Sequence, residues 1–181
     1  MEIKRKFLIW ENGGEFANPS FYNKFGNLSL FAQRIRREGN TINQGYLEPT
    51  SLEGELLDIR NSIGFEPSEA RLRSEVIRLD GKTEYTFTLK GSGDLSRKKH
   101  EENIIQEVFQ RYWSKTLRKR ISKNRLKLPF QAQNIEFDSY LDRNLLTTEV
   151  EFDSVEIADS FPEIGLDITN DSRYKNKNLA Q

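Results

Sequence analysis

Six stretches of this chain place polar, mostly ionic side chains two residues apart, with apolar residues between or beside them. They are Glu2, Lys4 and Lys6 around Ile3; Arg71 and Arg73 around Leu72; and Thr86, Thr88 and Lys90 against Tyr85, Phe87 and Leu89. Further along come Arg118 and Arg120 against Leu117 and Ile121, Glu136 and Asp138 against Ile135 and Phe137, and Glu149 and Glu151 against Val150 and Phe152. Along a β-strand successive side chains point to opposite faces, so each stretch reads as a strand with one charged face and one apolar face. Half-wet antiparallel sheets are routine. These wet faces, however, are mostly ionic rather than neutral, and they separate by sign into Arg pairs and acid pairs. A sheet curled on itself would turn them inward, making a barrel with a charged lumen.

The remaining segments fit that plan. Residues 2–10 read as a strand. Asn18–Glu38 has the apolar spacing of a helix, bent at Gly26. Ile42–Leu47 reads as a strand closed by Pro49, and Ser51–Ile59 as a short helix. Glu69–Leu79 and Thr83–Lys90 form a hairpin about Asp80-Gly81, followed by a loop at Gly91–Asp94. Glu101–Lys115 carries Ile104, Ile105, Val108, Phe109, Tyr112 and Trp113 at helical spacing. Thr116–Ser122, Gln133–Tyr140 and Leu146–Phe152 read as strands, and Ser154–Phe161 as a short helix before Pro162. The sum is an α+β chain with a mainly antiparallel sheet.

Composition narrows the function. The 181 residues suit one domain, 1–181. Lys and Arg number 28, as do Asp and Glu, so the global basic excess of a nucleic-acid binder is missing. Cysteine is absent, which excludes disulfides and thiolate chemistry and agrees with a reducing cytoplasm. No apolar run approaches a membrane span or a signal-peptide core. The expectation is a soluble cytoplasmic domain with no membrane association.

The charged faces suggest an anion. Arg offers a planar fork to phosphate oxygens and Lys a compact point charge. Close carboxylates repel one another unless a hard cation lies between them, and Mg²⁺ or Mn²⁺ suits such oxygen ligands. Together they indicate a polyphosphate held with a divalent metal.

At this level the residues resemble a known family. Glu2-Ile3-Lys4-Arg5-Lys6-Phe7-Leu8-Ile9 is similar to the E-x-E-x-K opening of the CYTH superfamily, the triphosphate tunnel metalloenzymes. Other family-like pieces follow in order: Gln44–Leu47, Arg71-x-Arg73, Phe87–Gly91 with Arg97, Arg118 with Arg120, Ile135–Asp138, Glu149-x-Glu151, Asp167–Thr169 and Arg173–Asn176. The resemblance spans essentially the whole chain. It implies an eight-stranded antiparallel β-barrel, the triphosphate tunnel, with helices packed outside. It also implies a metal-dependent triphosphatase acting on inorganic triphosphate or a small organic or nucleoside triphosphate. Lys4, Lys6, Arg71, Arg73, Lys90, Arg97, Arg118 and Arg120 would bind substrate, Glu2, Glu149 and Glu151 would hold Mg²⁺ or Mn²⁺, and Lys6, Arg71, Glu149 and Glu151 would carry catalysis. The alternatives are a class IV-type adenylate cyclase, making cyclic nucleotide and pyrophosphate, and a catalytically degenerate binding module.

Two positions depart from the family pattern. Lys4 stands where the family has a second glutamate, and Lys99 where it has an acid after Arg97. These exchanges make the site more positive by about four charges, and a protonated lysine cannot ligate a metal. The reading is that Lys4 pairs with Glu2 and substitutes for one metal, with the other metal kept on Glu149 and Glu151. The aromatic segment at 18–38 is expected to pack outside the barrel, with a homodimer surface or a lid as alternatives. His100 is expected to be solvated, and Trp10 and Trp113 to pack in the outer core.

Overall fold

The computed structural model describes residues 2–93 and 96–180. Asp94, the last residue of the loop expected at Gly91–Asp94, lies outside the described residues. The strands are β1 Glu2–Glu11, β2 Gly14–Glu15, β3 Asn40–Leu47, β4 Glu69–Val76, β5 Thr83–Lys90, β6 Ser96–Arg97, β7 Lys99–Asn103, β8 Arg120–Phe130, β9 Gln133–Tyr140, β10 Leu145–Phe152 and β11 Leu166–Asp167. The α-helices are α1 Pro19–Phe25, α2 Leu28–Glu38, α3 Gly54–Ser62, α4 Gln106–Trp113, α5 Val155–Ser160 and α6 Asn176–Leu179.

The sheet runs β11-β1-β10-β9-β8-β3-β4-β5-β7, with β2 and β6 also paired to β1. Every pairing is antiparallel. The ladder does not close on itself. β6 hydrogen-bonds to β1, and β7, which follows after Lys98, hydrogen-bonds to β5, so one stretch of chain bridges the two sides. The expected tunnel fold is therefore realised as a curled antiparallel sheet with helices rather than a barrel closed by hydrogen bonds.

Register carries the charged face from strand to strand, because residues directly opposite one another share a face. Lys4 faces Glu151, and Lys6 faces Glu149, which in turn faces Glu136. Arg125 faces Asp138, Arg73 faces Gln44, and Arg71 faces Tyr46 and Thr88. Lys90 faces Glu69 and Lys99, and Arg97 faces Glu2.

The opposite face is covered by helices. Phe7, Ile9, Phe137 and Val150 pack with Phe21, Phe31, Ile35 and Phe161. The Phe137 ring lies 4.8 Å from that of Phe31 and 4.9 Å from that of Phe25, so the aromatic segment packs outside the sheet. A second cluster joins Ala70, Leu72, Phe87 and Leu89 to Leu56 of α3 and Val108, Phe109 and Tyr112 of α4. A third sits on the concave side, where Leu8, Tyr46, Ile121 and Tyr140 meet Ile168, Tyr174 and Ala180. That apolar plug fills part of the concave face beside the charged residues.

Helix boundaries follow local chemistry. Asn18 and Asn27 cap α1 and α2 by accepting from the amides of Phe21 and Leu30, and Gly26, at φ 75°, separates the two helices where the bend is expected. Two expected elements are corrected. Residues 101–103, expected at the start of the Glu101–Lys115 helix, belong instead to β7, which pairs with β5, and α4 begins at Gln106. The strand expected at Thr116–Ser122 begins at Arg120 and continues to Phe130. Its start is set by a 3₁₀ turn, Ser114–Thr116, that lies against Gly45. A Cβ on Gly45 would stand 2.5 Å from the Thr116 side chain, so the close approach requires glycine.

Candidate anion-binding site

The concave face encloses a cavity of about 190 Å³. Nine lysines and arginines and seven acidic residues line it, an excess of positive charge that favours an anionic occupant. The period-two strands bring Glu2, Lys4, Lys6, Arg71, Arg73, Lys90, Arg97, Glu149 and Glu151 to this one cavity. Two expected members stand elsewhere. Arg118 lies in the exposed turn before β8 at φ 62°. Arg120 points to the outer face, where its guanidinium sits 4.3 Å from the Trp113 ring and donates to Thr116 Oγ1 and Trp113 O. The lining residue from this strand is Arg125, with Lys123 buried beneath it. The sequence signal for them is the alternation of Lys123, Arg125 and Lys127 with Asn124, Leu126 and Leu128.

Charges within the lumen are extensively paired. Lys90 Nζ lies 3.2 Å from Glu2 Oε2, as does Arg97 Nε, and Lys99 Nζ lies 3.8 Å from Glu2 Oε1. Burial alone would raise the Glu2 carboxyl, but Lys90, Lys4, Lys99 and Arg97 outweigh it and hold the group at about 2. Lys90 itself is pushed down to about 7, first by burial and then by Lys4 and Arg71. Lys4 Nζ and Lys6 Nζ each stand 3.2 Å from one oxygen of Glu149. Burial opposes ionisation of Glu149, yet Lys4, Lys6, Arg125 and Lys123 hold it well below the usual carboxylate range. Deeper still, Lys123 Nζ is 2.6 Å from Asp138 Oδ2, and Arg125 grips both Asp138 and Glu136. Arg125 and Lys123 keep Asp138 at about 2 against its burial.

Lys6 also ties the lumen to the C-terminal segment. Its Nζ donates to Tyr174 O at 2.7 Å, its amide donates to Thr169 Oγ1, and its carbonyl accepts from the Ile168 amide. On the outer face, Arg5 donates to Ala158 O and Phe161 O and pairs with Asp167, anchoring that segment. His100 is half-buried, with Nε2 3.3 Å from Glu102. Lys4 does not pair with Glu2 as expected; its partner is Glu149.

Two lumen donors are left over. Nε of Arg71 and Nε of Arg73 are buried with no hydrogen-bond partner. Such buried polar hydrogens cost about 1–3 kcal/mol each when unpaired, which marks them as places for a ligand acceptor.

The carboxylates do not present a ready metal site. Glu2 and Glu149 already accept from ammonium or guanidinium groups, Glu151 is exposed, and no cluster of three or more His, Asp or Glu among the described residues could hold an ion. A resident Mg²⁺ or Mn²⁺ on Glu2, Glu149 and Glu151 does not fit this donor set as it stands.

A curled sheet around a basic, acid-laced lumen defines a polyanion-binding tunnel protein. The comparisons agree. The chain is 36% identical over 151 residues to an inorganic triphosphatase of Nitrosomonas europaea, a match spanning 77% of this chain and 95% of the relative. A crystal structure of an inorganic triphosphatase superposes with a TM-score of 0.54 at 27% identity, covering 99% of this chain and 94% of that one. A second crystal structure superposes with a TM-score of 0.53, also at 27% identity and over 99% of this chain and 97% of that one. No family model matches the chain. The chain belongs to the family of these inorganic triphosphatases, within the CYTH superfamily.

Proposed function

We propose that this protein is a hydrolase that binds inorganic triphosphate in the lumen and cleaves its terminal phosphoanhydride bond. The observation that carries the reading is the pair of buried, unpartnered Nε donors on Arg71 and Arg73, side by side on the concave face of β4. A desolvated guanidinium pair is costly alone and favourable once phosphate oxygens arrive. Burial, together with Arg71 and Arg125, already pulls the Arg73 guanidinium below its ordinary range, a strain that an anion relieves. The relative's activity on inorganic triphosphate supports this substrate for the present chain.

Hydrolysis then needs a water in line with the terminal phosphorus and cations on the leaving oxygens. Arg71, Arg73, Lys6 and Lys90 neutralise the triphosphate and stabilise the charge that develops as the P–O bond breaks. Arg97, held by Glu2 and Glu69, flanks them. Glu149 stays ionised between Lys4 and Lys6 and fixes where those two ammonium groups stand. Glu151, exposed at the rim opposite Lys4, accepts the proton of the attacking water. Diphosphate leaves with the electrons of the broken bond, and the terminal phosphoryl group departs as orthophosphate.

The test is phosphorus NMR of the full chain incubated separately with inorganic triphosphate and ATP, with and without Mg²⁺ or Mn²⁺. Orthophosphate and diphosphate appearing from triphosphate is the expected result. Cyclic nucleotide with diphosphate from ATP would identify a cyclase instead. Raised thermal stability without turnover would identify a binding module.

A further inference from the structure

We propose that Lys4 and Lys99 are built-in cations that occupy the place of a divalent ion, so that this lumen binds inorganic triphosphate without added metal. This rests on the reading of the lumen as a triphosphate site. Lys4 Nζ is 3.2 Å from Glu149 Oε2, and its side chain is 17% exposed. Lys99 Nζ spans Glu2 Oε1 at 3.8 Å and Glu101 Oε1 at 4.0 Å, with its side chain 29% exposed. Each ammonium therefore sits between carboxylate oxygens and the open volume of the cavity, which both residues line.

That position is the one a hard cation would take, since Mg²⁺ and Mn²⁺ bind where carboxylate oxygens converge and then bridge to phosphate oxygens. An ammonium has three donors and no acceptor, so a lysine already paired with a carboxylate keeps N–H groups for a phosphate. Three further carboxylates around the cavity are also engaged. Glu101 accepts from Thr88 Oγ1 and Arg71 Nη2, Glu69 pairs with Arg97, and Glu136 pairs with Arg125. A divalent ion would have to displace at least one of these cations and leave it buried without its counter-charge, a cost of several kcal/mol. The triphosphate meets fixed positive charge without that exchange.

Isothermal titration of EDTA-treated full-length protein with inorganic tripolyphosphate, repeated in Mg²⁺ and in Mn²⁺, tests this directly. The expected result is binding in EDTA, with affinity within about threefold of that in either metal. The Lys4→Glu/Lys99→Glu double variant is expected to lose at least about tenfold in EDTA, to recover with Mg²⁺ or Mn²⁺, and to take up Mn²⁺ by electron paramagnetic resonance. Lys4→Met and Lys99→Met, each checked by thermal melting, test the loss in EDTA should the double variant not fold. Wild-type binding that appears only with metal overturns the proposal, as does a Met variant that melts normally and binds undiminished in EDTA. Binding in neither medium overturns instead the triphosphate reading on which it rests.

Discussion

Lys4 and Lys6 clamp opposite oxygens of Glu149, each ammonium 3.2 Å from its oxygen, although the three residues come from strands at the two ends of the sequence. The clamp is what lets a buried carboxylate remain charged. Lys4→Met should therefore remove one of the four cations that hold Glu149 ionised and destabilise the fold by about 1–3 kcal/mol. Denaturant unfolding checks this, with Lys4→Arg expected to restore most of the loss.

Acid stability follows from Glu2. Its folded value of about 2 lies below its ordinary 4.5, so its ion pairs stabilise the fold fully above pH 4.5 and lose that contribution as pH falls towards 2. Asp138 shifts in the same direction, also to about 2. Glu2→Gln should lower stability at pH 7 by on the order of 3 kcal/mol and flatten the acid limb. Unfolding free energies measured from pH 2 to 7 for both proteins test it; parallel curves would contradict the assignment.

Arg125 and Arg118 should separate cleanly. Arg125→Ala removes the partner of buried Asp138 and a cavity-lining cation, so stability should fall by about 3–5 kcal/mol. Arg118→Ala, in an exposed turn, should stay within about 0.5 kcal/mol of the parent and bind tripolyphosphate equally. Arg120→Ala should lose its stacking on Trp113 and its hydrogen bonds to Thr116 Oγ1 and Trp113 O, about 1–2 kcal/mol in all. Melting curves and tripolyphosphate titrations of the three variants decide this.

Gly45→Ala tests the local packing that turns Arg120 outward. The added methyl would press on the buried Thr116 side chain, with an expected cost of about 1–3 kcal/mol, read as a lowered unfolding midpoint.

The period of two made most of the concave face legible in the sequence. Glu2, Lys4, Lys6, Arg71, Arg73, Glu149 and Glu151 alternate with core residues, and the buried face fixes their register. What escaped was set by contacts distant in sequence. Nothing near Arg118 and Arg120 signals that a 3₁₀ turn packs on Gly45 and delays the strand, moving the inward cations on to Lys123 and Arg125. Residues 101–103 look helical beside Ile104 and Ile105, yet β5 offers residues 99–103 a free edge and takes them as a strand. The pairing of Lys4 with Glu149 rather than Glu2 likewise depends on β10 lying beside β1, a neighbour that local spacing cannot specify.

The most direct test of the account is the rate of orthophosphate release from inorganic triphosphate by the parent protein and by Arg71→Ala. Arg71 spans Thr88 and Glu101 with Nη2, and its buried Nε has no hydrogen-bond partner. The expected result is turnover by the parent, a loss of about 100-fold or more in kcat/KM for Arg71→Ala, equivalent to about 3 kcal/mol, and partial recovery in Arg71→Lys. No phosphate release by the parent, or an Arg71→Ala variant as fast as the parent, would contradict it.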